Sequence, residues 1–313
     1  MKVAVLGSGG VGGFLGGALA KAGNDVWFIA RGDHLRAMRE KGLTIQSAAL
    51  GNFHLKVKAT DDPSEIERVD LVLFCVKSYD TEEALKSINP LIGESTVVLS
   101  LQNGVDNEDK IANAIGVQHV LAGVLGVESY ISEPGIVRQT VGPWNVTVGE
   151  LSGEVTSRVE DIRAAFMKAG LKCGVSNRIR DDLWNKFVYI CGTAGICCVA
   201  RASIREVADF EPTRNLYLAV MQEVEAIAKR QGINVTVDIR EKVSWGQKVD
   251  KAVKPSMLRD LERGKRLEVD AFSGTVAKLG RQLAIPTPAN DFIYACLKIH
   301  DNKATANQRP NAI

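Results

Sequence analysis

The chain has 313 residues, of which 45% are hydrophobic and 24% charged, a composition typical of globular proteins and a length that favours two domains. Its formal net charge of +2, without a long basic run, argues against nucleic acid or an anionic membrane as a partner. The four histidines and six cysteines show no metal-ligand spacing, so no metal site is predicted, and the cysteines are interpreted as buried thiols of a cytoplasmic protein.

The first predicted elements are a strand, a glycine-rich turn and a helix. An apolar run at residues 3–6 leads into the turn at residues 7–12, and a small-residue helix and a second apolar run follow. In a dinucleotide-binding βαβ unit, such glycines allow a tight bend, close approach of a pyrophosphate and close helix packing. The helix N-terminus adds free N–H groups and the positive end of its dipole. The residues predicted to bind the cofactor here are Gly7, Ser8, Gly9, Gly10, Val11 and Gly12.

Arg31 stands at the end of the second predicted strand. An acidic residue at this place would bind the ribose 2′-hydroxyl of NAD, whereas a guanidinium holds a 2′-phosphate through two hydrogen bonds. The sequence therefore favours NADP(H), with an ordinary solvated arginine as the alternative. Asp33, just beyond, weakens this preference slightly.

Strands and helices continue to alternate through the first half of the chain. The apolar runs at residues 70–76 and 96–101 are typical of strands buried on both faces. This alternation predicts an α/β fold with a Rossmann-type, doubly wound parallel sheet. We expect the dinucleotide-binding domain to comprise residues 1–176.

The second half, residues 177–313, is predicted to form an all-helical substrate and catalytic domain. Residues 182–200 are apolar on nearly every side, which predicts a central buried helix, and Gly264 predicts a break in a later one. The longest apolar stretch has 14 residues, too few to span a bilayer, and no signal peptide is evident, so no membrane partner is expected. An exposed apolar helix face would allow a homodimer, although no stripe is distinctive enough to predict the oligomeric state.

Polar residues follow three of the predicted strands, at the sheet edge where doubly wound folds bind ligands. They are Arg31, Lys77 and Asn103. Lys77 is interpreted either as a ligand of a cofactor phosphate or substrate carboxylate, or as a surface lysine. Asn103 precedes Gly104, so it is interpreted either as a turn residue or as a carboxamide beside the nicotinamide.

Three residues of the second half are candidates for proton transfer and substrate binding. Burial of Lys186 at the start of the apolar helix would lower its pKa and make it an acid for a carbonyl oxygen that gains a proton as hydride reaches the carbon. A lysine that extends to solvent is the equal alternative. Glu268 could pair with Lys186 or be solvated, and Ser256 could bind a carboxylate or cap a helix.

Along nearly its whole length the chain resembles the ketopantoate reductases (2-dehydropantoate 2-reductases). Each matching segment is weak by itself, but their order and intervals are specific. The segments are Gly7-Ser8-Gly9-Gly10-Val11-Gly12, Arg31-Gly32, Val76-Lys77, Leu101-Gln102-Asn103-Gly104, Leu183-Trp184-Asn185-Lys186, Ser256-Met257-Leu258-Arg259-Asp260 and Glu268-Val269-Asp270.

The resemblance implies a Rossmann domain joined to an all-helical domain, with NADPH as the reductant of a small 2-keto acid. It implies that Lys186 is the general acid and that Glu268 positions this lysine and the substrate hydroxyl. The implied reaction converts 2-dehydropantoate to pantoate, a precursor of pantothenate and coenzyme A. Four further residues have implied ligands: Lys77 and Asn103 beside the nicotinamide and substrate, Arg31 on the 2′-phosphate, and Ser256 on the substrate carboxylate.

The chain departs from the family pattern at two positions after the predicted general acid. Well-studied members have asparagines there, which help bind the hydroxyl end of the substrate, whereas this chain has Ile190 and Ala194. A buried hydroxyl without a partner costs about 1–3 kcal/mol. One alternative is therefore a reductase of another branched 2-keto acid. A second, from another class, is a non-catalytic NADP(H)-binding sensor, which would bind the cofactor without turnover.

Overall fold

The computed structural model describes residues 1–308, apart from the side chains of residues 141–143 and 308. Its contacts divide the chain into two compact units. The first comprises Met1–Gln102 and Asp106–Asp182, and the second comprises Asn103–Val105 and the chain from Leu183 onwards.

A ten-stranded sheet forms the centre of the first unit. In chain order its strands are β1 (Lys2–Leu6), β2 (Asp25–Ile29), β3 (Leu43–Ser47), β4 (Phe53–Leu55), β5 (Lys58–Thr60), β6 (Leu71–Phe74), β7 (Val97–Ser100), β8 (Val120–Glu133), β9 (Ile136–Glu150) and β10 (Lys172–Val175). Across the sheet the order is β4-β3-β9-β8-β7-β6-β1-β2-β5, and β10 pairs with β9. The strands from β8 through β7, β6, β1 and β2 to β5 are all parallel, whereas β8 and β9 form a long antiparallel pair.

Helices cover both faces of this sheet, because alternate strand residues point to opposite sides. Val3 and Val5 of β1 pack in one apolar cluster, and Ala4 and Leu6 of the same strand pack in the other. The prediction of a doubly wound Rossmann-type sheet is therefore confirmed. The helices of this unit are α1 (Gly10–Lys21), α2 (Gly32–Lys41), α3 (Thr81–Lys86), α4 (Asn107–Ile115) and α5 (Ser157–Lys168).

The second unit is helical, as predicted. Its elements are α6 (Ile179–Ala200), α7 (Ile204–Asp209), α8 (Glu211–Arg230), α9 (Ile239–Gly246), α10 (Ser256–Glu262), a π-helical turn (Asp270–Gly274), α11 (Thr275–Leu283) and α12 (Pro288–Gln308). The predicted break at Gly264 is present: this residue follows α10 with a φ of +63°, in the left-handed region that favours glycine.

The division between the units falls within α6, beyond the boundary that the sequence predicts at residues 176 and 177. The first turn of α6 is bonded to the first unit, which explains the difference. Arg180 Nη2 lies 3.0 Å from Asp109 Oδ1 on α4, and Ile179 is almost fully buried. The contacts therefore change from one unit to the other only after Asp182.

Helix α6 is longer than the apolar stretch suggests, with 22 residues. Among the described residues it is the one helix long and apolar enough to cross a membrane by length and composition, and 67% of its most apolar window is buried within the protein. Two glycines let neighbouring helices approach it closely. A Cβ on Gly192 would lie 2.5 Å from the Tyr217 ring of α8, and one on Gly195 would lie 2.9 Å from Ile293 of α12. The buried faces of α6 thus form the centre of a helical core.

Candidate active site

The predicted cofactor turn lies between β1 and α1 and is tied to β2. Gly7 has a φ of +99°, and a Cβ there would lie 2.6 Å from the backbone nitrogen of Val76, so only glycine fits. The backbone N–H and the hydroxyl of Ser8 both donate to the carbonyl of Ile29, each at 3.0 Å. These bonds hold the turn beside the end of β2, where Arg31 follows.

The next two glycines differ in what surrounds them. Apart from its two chain neighbours, no atom of residues 1–308 lies within 4 Å of the position that a Cβ would take on Gly9, which caps α1. On Gly10, by contrast, a Cβ would lie 2.3 Å from the carbonyl oxygen of Ser129 on β8. Gly9 therefore leaves open space at the helix N-terminus, and Gly10 is required for packing. The first turn of α1 carries no acidic residue, so the positive end of its dipole is not neutralised there.

Arg31 occupies the cap position of α2 in an extended conformation, with an exposed side chain. Asp33, which the sequence analysis weighs against Arg31, pairs instead with Arg36 one turn further on. Asp33 therefore does not pair with Arg31, whose exposed side chain follows the end of β2, the place where a 2′-phosphate is expected.

Gln102, to which the sequence analysis gives no role, links two of the segments that carry predicted site residues. It is buried, and its Nε2 donates to the carbonyl of Val76 at 2.9 Å and to the hydroxyl of Thr81 at 2.8 Å. The bonds join the segment after β6, which carries Lys77, to the segment after β7, which carries Asn103. The motif of residues 101–104 is the sequence signal that could have suggested this link.

Lys77 and Asn103 follow adjacent strands but belong to different units. Lys77 caps a short 3₁₀ turn, where its carbonyl accepts the N–H of Asp80 at 2.8 Å, and its side chain is half-buried. Asn103 belongs by its contacts to the helical unit, together with Lys186 and Glu268. With Ser256, which lies in the same unit, all four of the predicted catalytic and substrate-binding residues share one compact unit.

Lys186 lies in the second turn of α6 with a half-buried side chain. Its neighbours fix the backbone around it. The Asn185 side-chain oxygen accepts the N–H groups of Thr236 and Val237, both at 2.8 Å, and the rings of Trp184 and Phe187 pack edge to face with centroids 5.6 Å apart.

Glu268 is only 4% exposed and precedes the π-helical turn, with its carbonyl accepting the N–H of Phe272 at 3.1 Å. Phe272 in turn packs against Phe187, with ring centroids 6.4 Å apart. This ring pair joins α6, which carries Lys186, to the π-helical turn that follows Glu268. Single π-helical turns within helical segments are frequent at functional sites.

Ser256 is the first residue of α10, and its side chain is exposed. The residue at the cap position is Pro255, so Ser256 is not the ordinary helix cap that the sequence left open as an alternative. Its place at the helix N-terminus suits a hydroxyl that binds a carboxylate.

The two departures from the family pattern lie one and two turns after Lys186 on α6. Ala194 is 2% exposed within the apolar core of the helical unit, and Ile190 packs against the same core. Thr193 beside them bonds back to the carbonyl of Tyr189 at 3.1 Å. The side chains of Ile190 and Ala194 have no hydrogen-bonding group that could replace the asparagines of the family pattern.

Within residues 1–308, no group of three or more His, Cys, Asp or Glu side chains is placed to hold a metal ion. Burial raises the pKa of Cys173 to about 11 and that of Cys197 to about 12, so these thiols stay protonated at neutral pH.

Comparison with known proteins matches both halves of the chain to one family. Residues 3–153 match the family described as Ketopantoate reductase PanE/ApbA, and residues 178–301 match its C-terminal counterpart. The chain belongs to the ketopantoate reductase family. It is accordingly an oxidoreductase, and the resemblance that the motifs predict is confirmed.

Relatives and solved structures of this family match almost end to end. The 2-dehydropantoate 2-reductase of Mesorhizobium japonicum is 30% identical, over 95% of this chain and 97% of that protein. The crystal structure of a PanE/ApbA family ketopantoate reductase from Ralstonia eutropha JMP134 has a TM-score of 0.90 and 33% identity, over 97% of this chain and 100% of that one. The ternary structure of D-mandelate dehydrogenase with NADH and anilino(oxo)acetate, at 22% identity and a TM-score of 0.88, over 97% of this chain and 99% of that one, shares the fold.

Proposed function

We propose that the protein reduces a 2-keto acid to the 2-hydroxy acid with NADPH, and that 2-dehydropantoate is the substrate. The observation that carries the proposal is the placement of Lys186 and Glu268 in one unit, where the Phe187–Phe272 ring pair joins α6 to the π-helical turn that follows Glu268. The family and the names of relatives such as the Mesorhizobium japonicum reductase support the same reaction. A cytoplasmic location, supported by six free cysteines, is part of the proposal.

The residues of the glycine turn fit a dinucleotide. Gly9 leaves space within 4 Å of its Cβ position, at a helix N-terminus whose first turn carries no acidic residue. Such an arrangement accepts a pyrophosphate. Arg31, exposed at the end of β2, would hold the 2′-phosphate, so that NADPH is preferred over NADH. Lys77 would contribute a second cationic group beside the cofactor or the substrate.

Each polar residue of the site has a proposed role in the reaction. When bound, the reduced nicotinamide supplies the hydride that reaches the keto carbon. Lys186 donates a proton to the keto oxygen as negative charge develops on it. Glu268 would hold the Lys186 ammonium and the substrate hydroxyl. Asn103 would lie beside the nicotinamide when the cofactor is bound, and Ser256 would bind the substrate carboxylate at the start of α10.

A second candidate substrate is a more apolar branched 2-keto acid. Ile190 and Ala194 offer no hydrogen bond to a substrate hydroxyl, and Ala194 is buried in the apolar core. A hydroxyl left without a partner costs about 1–3 kcal/mol, which corresponds to a 5- to 150-fold loss in kcat/KM at roughly 25 °C.

The experiment that tests the proposal is a substrate panel with the full-length protein, followed by NADPH absorbance. We expect turnover of ketopantoate with a kcat/KM above that of 2-ketoisovalerate, and little turnover of either with NADH. A higher kcat/KM for 2-ketoisovalerate would replace the proposed substrate by the second candidate. Tight NADPH binding without turnover of any 2-keto acid would favour the sensor instead.

A further inference from the structure

An ion-pair network joins the C-terminal helix α12 to the segment that carries Glu268. Asp301 of α12 is only 1% exposed, and its Oδ1 accepts the N–H of Leu267 at 2.9 Å. Its Oδ2 lies 2.9 Å from Lys298 Nζ, which also lies 2.5 Å from Asp270 Oδ2. The network therefore contacts the chain immediately before Glu268 and two residues after it.

Two more side chains complete the network. The Tyr294 hydroxyl donates to Asp270 Oδ1 at 3.0 Å, and Arg266 Nε lies 3.9 Å from Asp301 Oδ1. Burial by itself lowers the pKa of Lys298, but its bonds to Asp270 and Asp301 outweigh this effect and raise the pKa above its ordinary value. Lys298 therefore remains an ammonium throughout the neutral range.

The backbone at Glu268 needs such anchors. Residues 265–267 are irregular, and Glu268 and Val269 form a turn before the π-helical residues begin, so no regular helical ladder holds this stretch. Ion pairs of this kind are weak evidence for stability, because desolvation of the two charges offsets their attraction. What the network supplies is a set of bonds from Asp301 to Leu267 and Lys298. A carboxylate as buried as Asp301, bonded to the N–H next to Glu268, fixes the position of that backbone.

We propose that Lys298 and Asp301 are positioning residues, which hold the backbone on both sides of Glu268 and so direct its carboxylate towards Lys186. The inference rests on the proposed function, in which Glu268 holds the Lys186 ammonium. Lys298 and Asp301 touch neither substrate nor cofactor in this assignment. They act only through Glu268.

The first test compares K298M and K298R with the wild type by steady-state kinetics across pH. A misplacement of a catalytic group by about 1 Å costs on the order of 100-fold in rate, so we expect K298M to lower kcat by about 10- to 100-fold. The KM for NADPH stays unchanged, and the basic limb of the kcat profile moves to lower pH, because a displaced Glu268 no longer favours the charged form of Lys186. K298R restores most of kcat.

The matched control is E225Q, which removes the carboxylate of the Lys229–Glu225 ion pair on α8, 2.8 Å long and remote from residues 266–270 in sequence. It leaves kcat and its pH profile unchanged. D270N is a second variant that tests the network if K298M misfolds. It is expected to fold, because the Asp270 side chain is 52% exposed and asparagine keeps an acceptor for Tyr294. A several-fold loss of kcat is expected for D270N.

The variants E268Q and E268Q/K298M separate this inference from the proposed function. If Lys298 acts through Glu268, K298M causes no further loss of kcat in the E268Q background, because the two residues work as a unit. Wild-type turnover of E268Q would refute the role of Glu268 in the proposed function. An impaired E268Q together with normal kcat and pH profile in K298M and D270N, or with losses that multiply in the double variant, would refute the inference alone.

Discussion

Single side chains at the sheet edge account for the proposed cofactor preference. Arg31 is exposed at the cap of α2, and Asp33, two residues further on, pairs with Arg36 and not with Arg31. In the helical unit, Lys186 has a backbone fixed by its neighbour Asn185, and Glu268 is buried. For Arg31 and Lys186, the proposed role therefore gives a prediction that depends on a single functional group.

Arg31→Ala is expected to weaken NADPH binding by about tenfold or more, because a hydrogen bond to a charged group contributes about 1.5–3 kcal/mol. NADH binding changes little, since NADH has no 2′-phosphate. Titration of the protein with each dinucleotide measures the dissociation constants for NADPH and NADH. Lys41→Ala, which removes an exposed positive charge from the other end of α2, is the control. Equal weakening of both dinucleotides would contradict the assignment of Arg31.

Lys186→Ala is expected to lower kcat by about 100-fold or more while NADPH binding persists, because a general acid acts in the transition state. Steady-state kinetics and NADPH titration check the two parts of this prediction. Lys278→Ala removes an exposed lysine of α11 and serves as the control. Wild-type turnover in Lys186→Ala would show that another group donates the proton.

At the level of elements, the long pair β8 and β9 supports the cofactor turn. Gly10 packs against the carbonyl of Ser129 on β8, and His34 of α2 accepts the N–H of Gly135, in the turn between β8 and β9, at 3.0 Å. Burial lowers the pKa of His34, so its neutral ring keeps this bond at neutral pH. The glycine turn therefore depends on strands far away in the sequence.

The pair Gly9→Ala and Gly10→Ala separates cofactor space from packing. A Cβ on Gly10 would lie 2.3 Å from a backbone oxygen, so we expect Gly10→Ala to lower the free energy of unfolding by about 1–3 kcal/mol. Gly9→Ala meets no neighbour and leaves stability nearly unchanged, but its methyl group weakens NADPH binding. Thermal denaturation and NADPH titration of both variants provide the test. Similar stability losses in the two variants would contradict it.

At the scale of the whole molecule, the predicted roles divide between the two units. The glycine turn, Arg31 and Lys77 belong to the first unit, and Lys186, Ser256 and Glu268 to the second. After β7 the chain leaves the first unit at Asn103, and it returns to the first unit at Asp106. Shortly after the chain returns to the first unit, Glu108 of α4 carries a buried carboxyl group. Its ionisation affects the stability of this unit.

Burial, with the charges of Asp109 and Asp106 acting in the same direction, raises the pKa of Glu108 above its ordinary 4.5, against the opposing effect of the Ser100 hydroxyl. Between pH 4.5 and this raised pKa, the folded protein keeps a proton that the unfolded chain has released. The free energy of unfolding therefore falls as pH rises through this range. Below it the penalty is absent.

Glu108→Gln removes this penalty, because glutamine resembles the protonated acid and has no proton to lose. We expect the Tm of the variant, relative to that of the wild type, to increase as the pH rises above 4.5 towards the raised pKa of Glu108. Glu40→Gln, at an exposed carboxylate of α2, is the control. A constant Tm difference across this range would mean that Glu108 ionises in the folded protein as readily as in the unfolded chain.

The sequence by itself determined the features that depend on neighbouring residues. The glycine turn, the buried strands, the apolar helix α6 and the break at Gly264 all follow from local periodicity or from local backbone geometry, and all are present. The types and order of Lys186 and Glu268 made them candidates. Sequence spacing could not show that a pair of phenylalanine rings joins α6, which carries Lys186, to the π-helical turn after Glu268.

Only the tertiary structure decided which distant groups hold these residues in place. Gln102 links the segments that carry Lys77 and Asn103, Gly10 is required by a carbonyl on β8, and Asp301 bonds the N–H beside Glu268. Such contacts join residues separated by tens of positions or more, and each needs a direction in space as well as a residue type. A local sequence pattern shows the residue type, whereas the orientation of the side chain or backbone group is set only when the chain has folded.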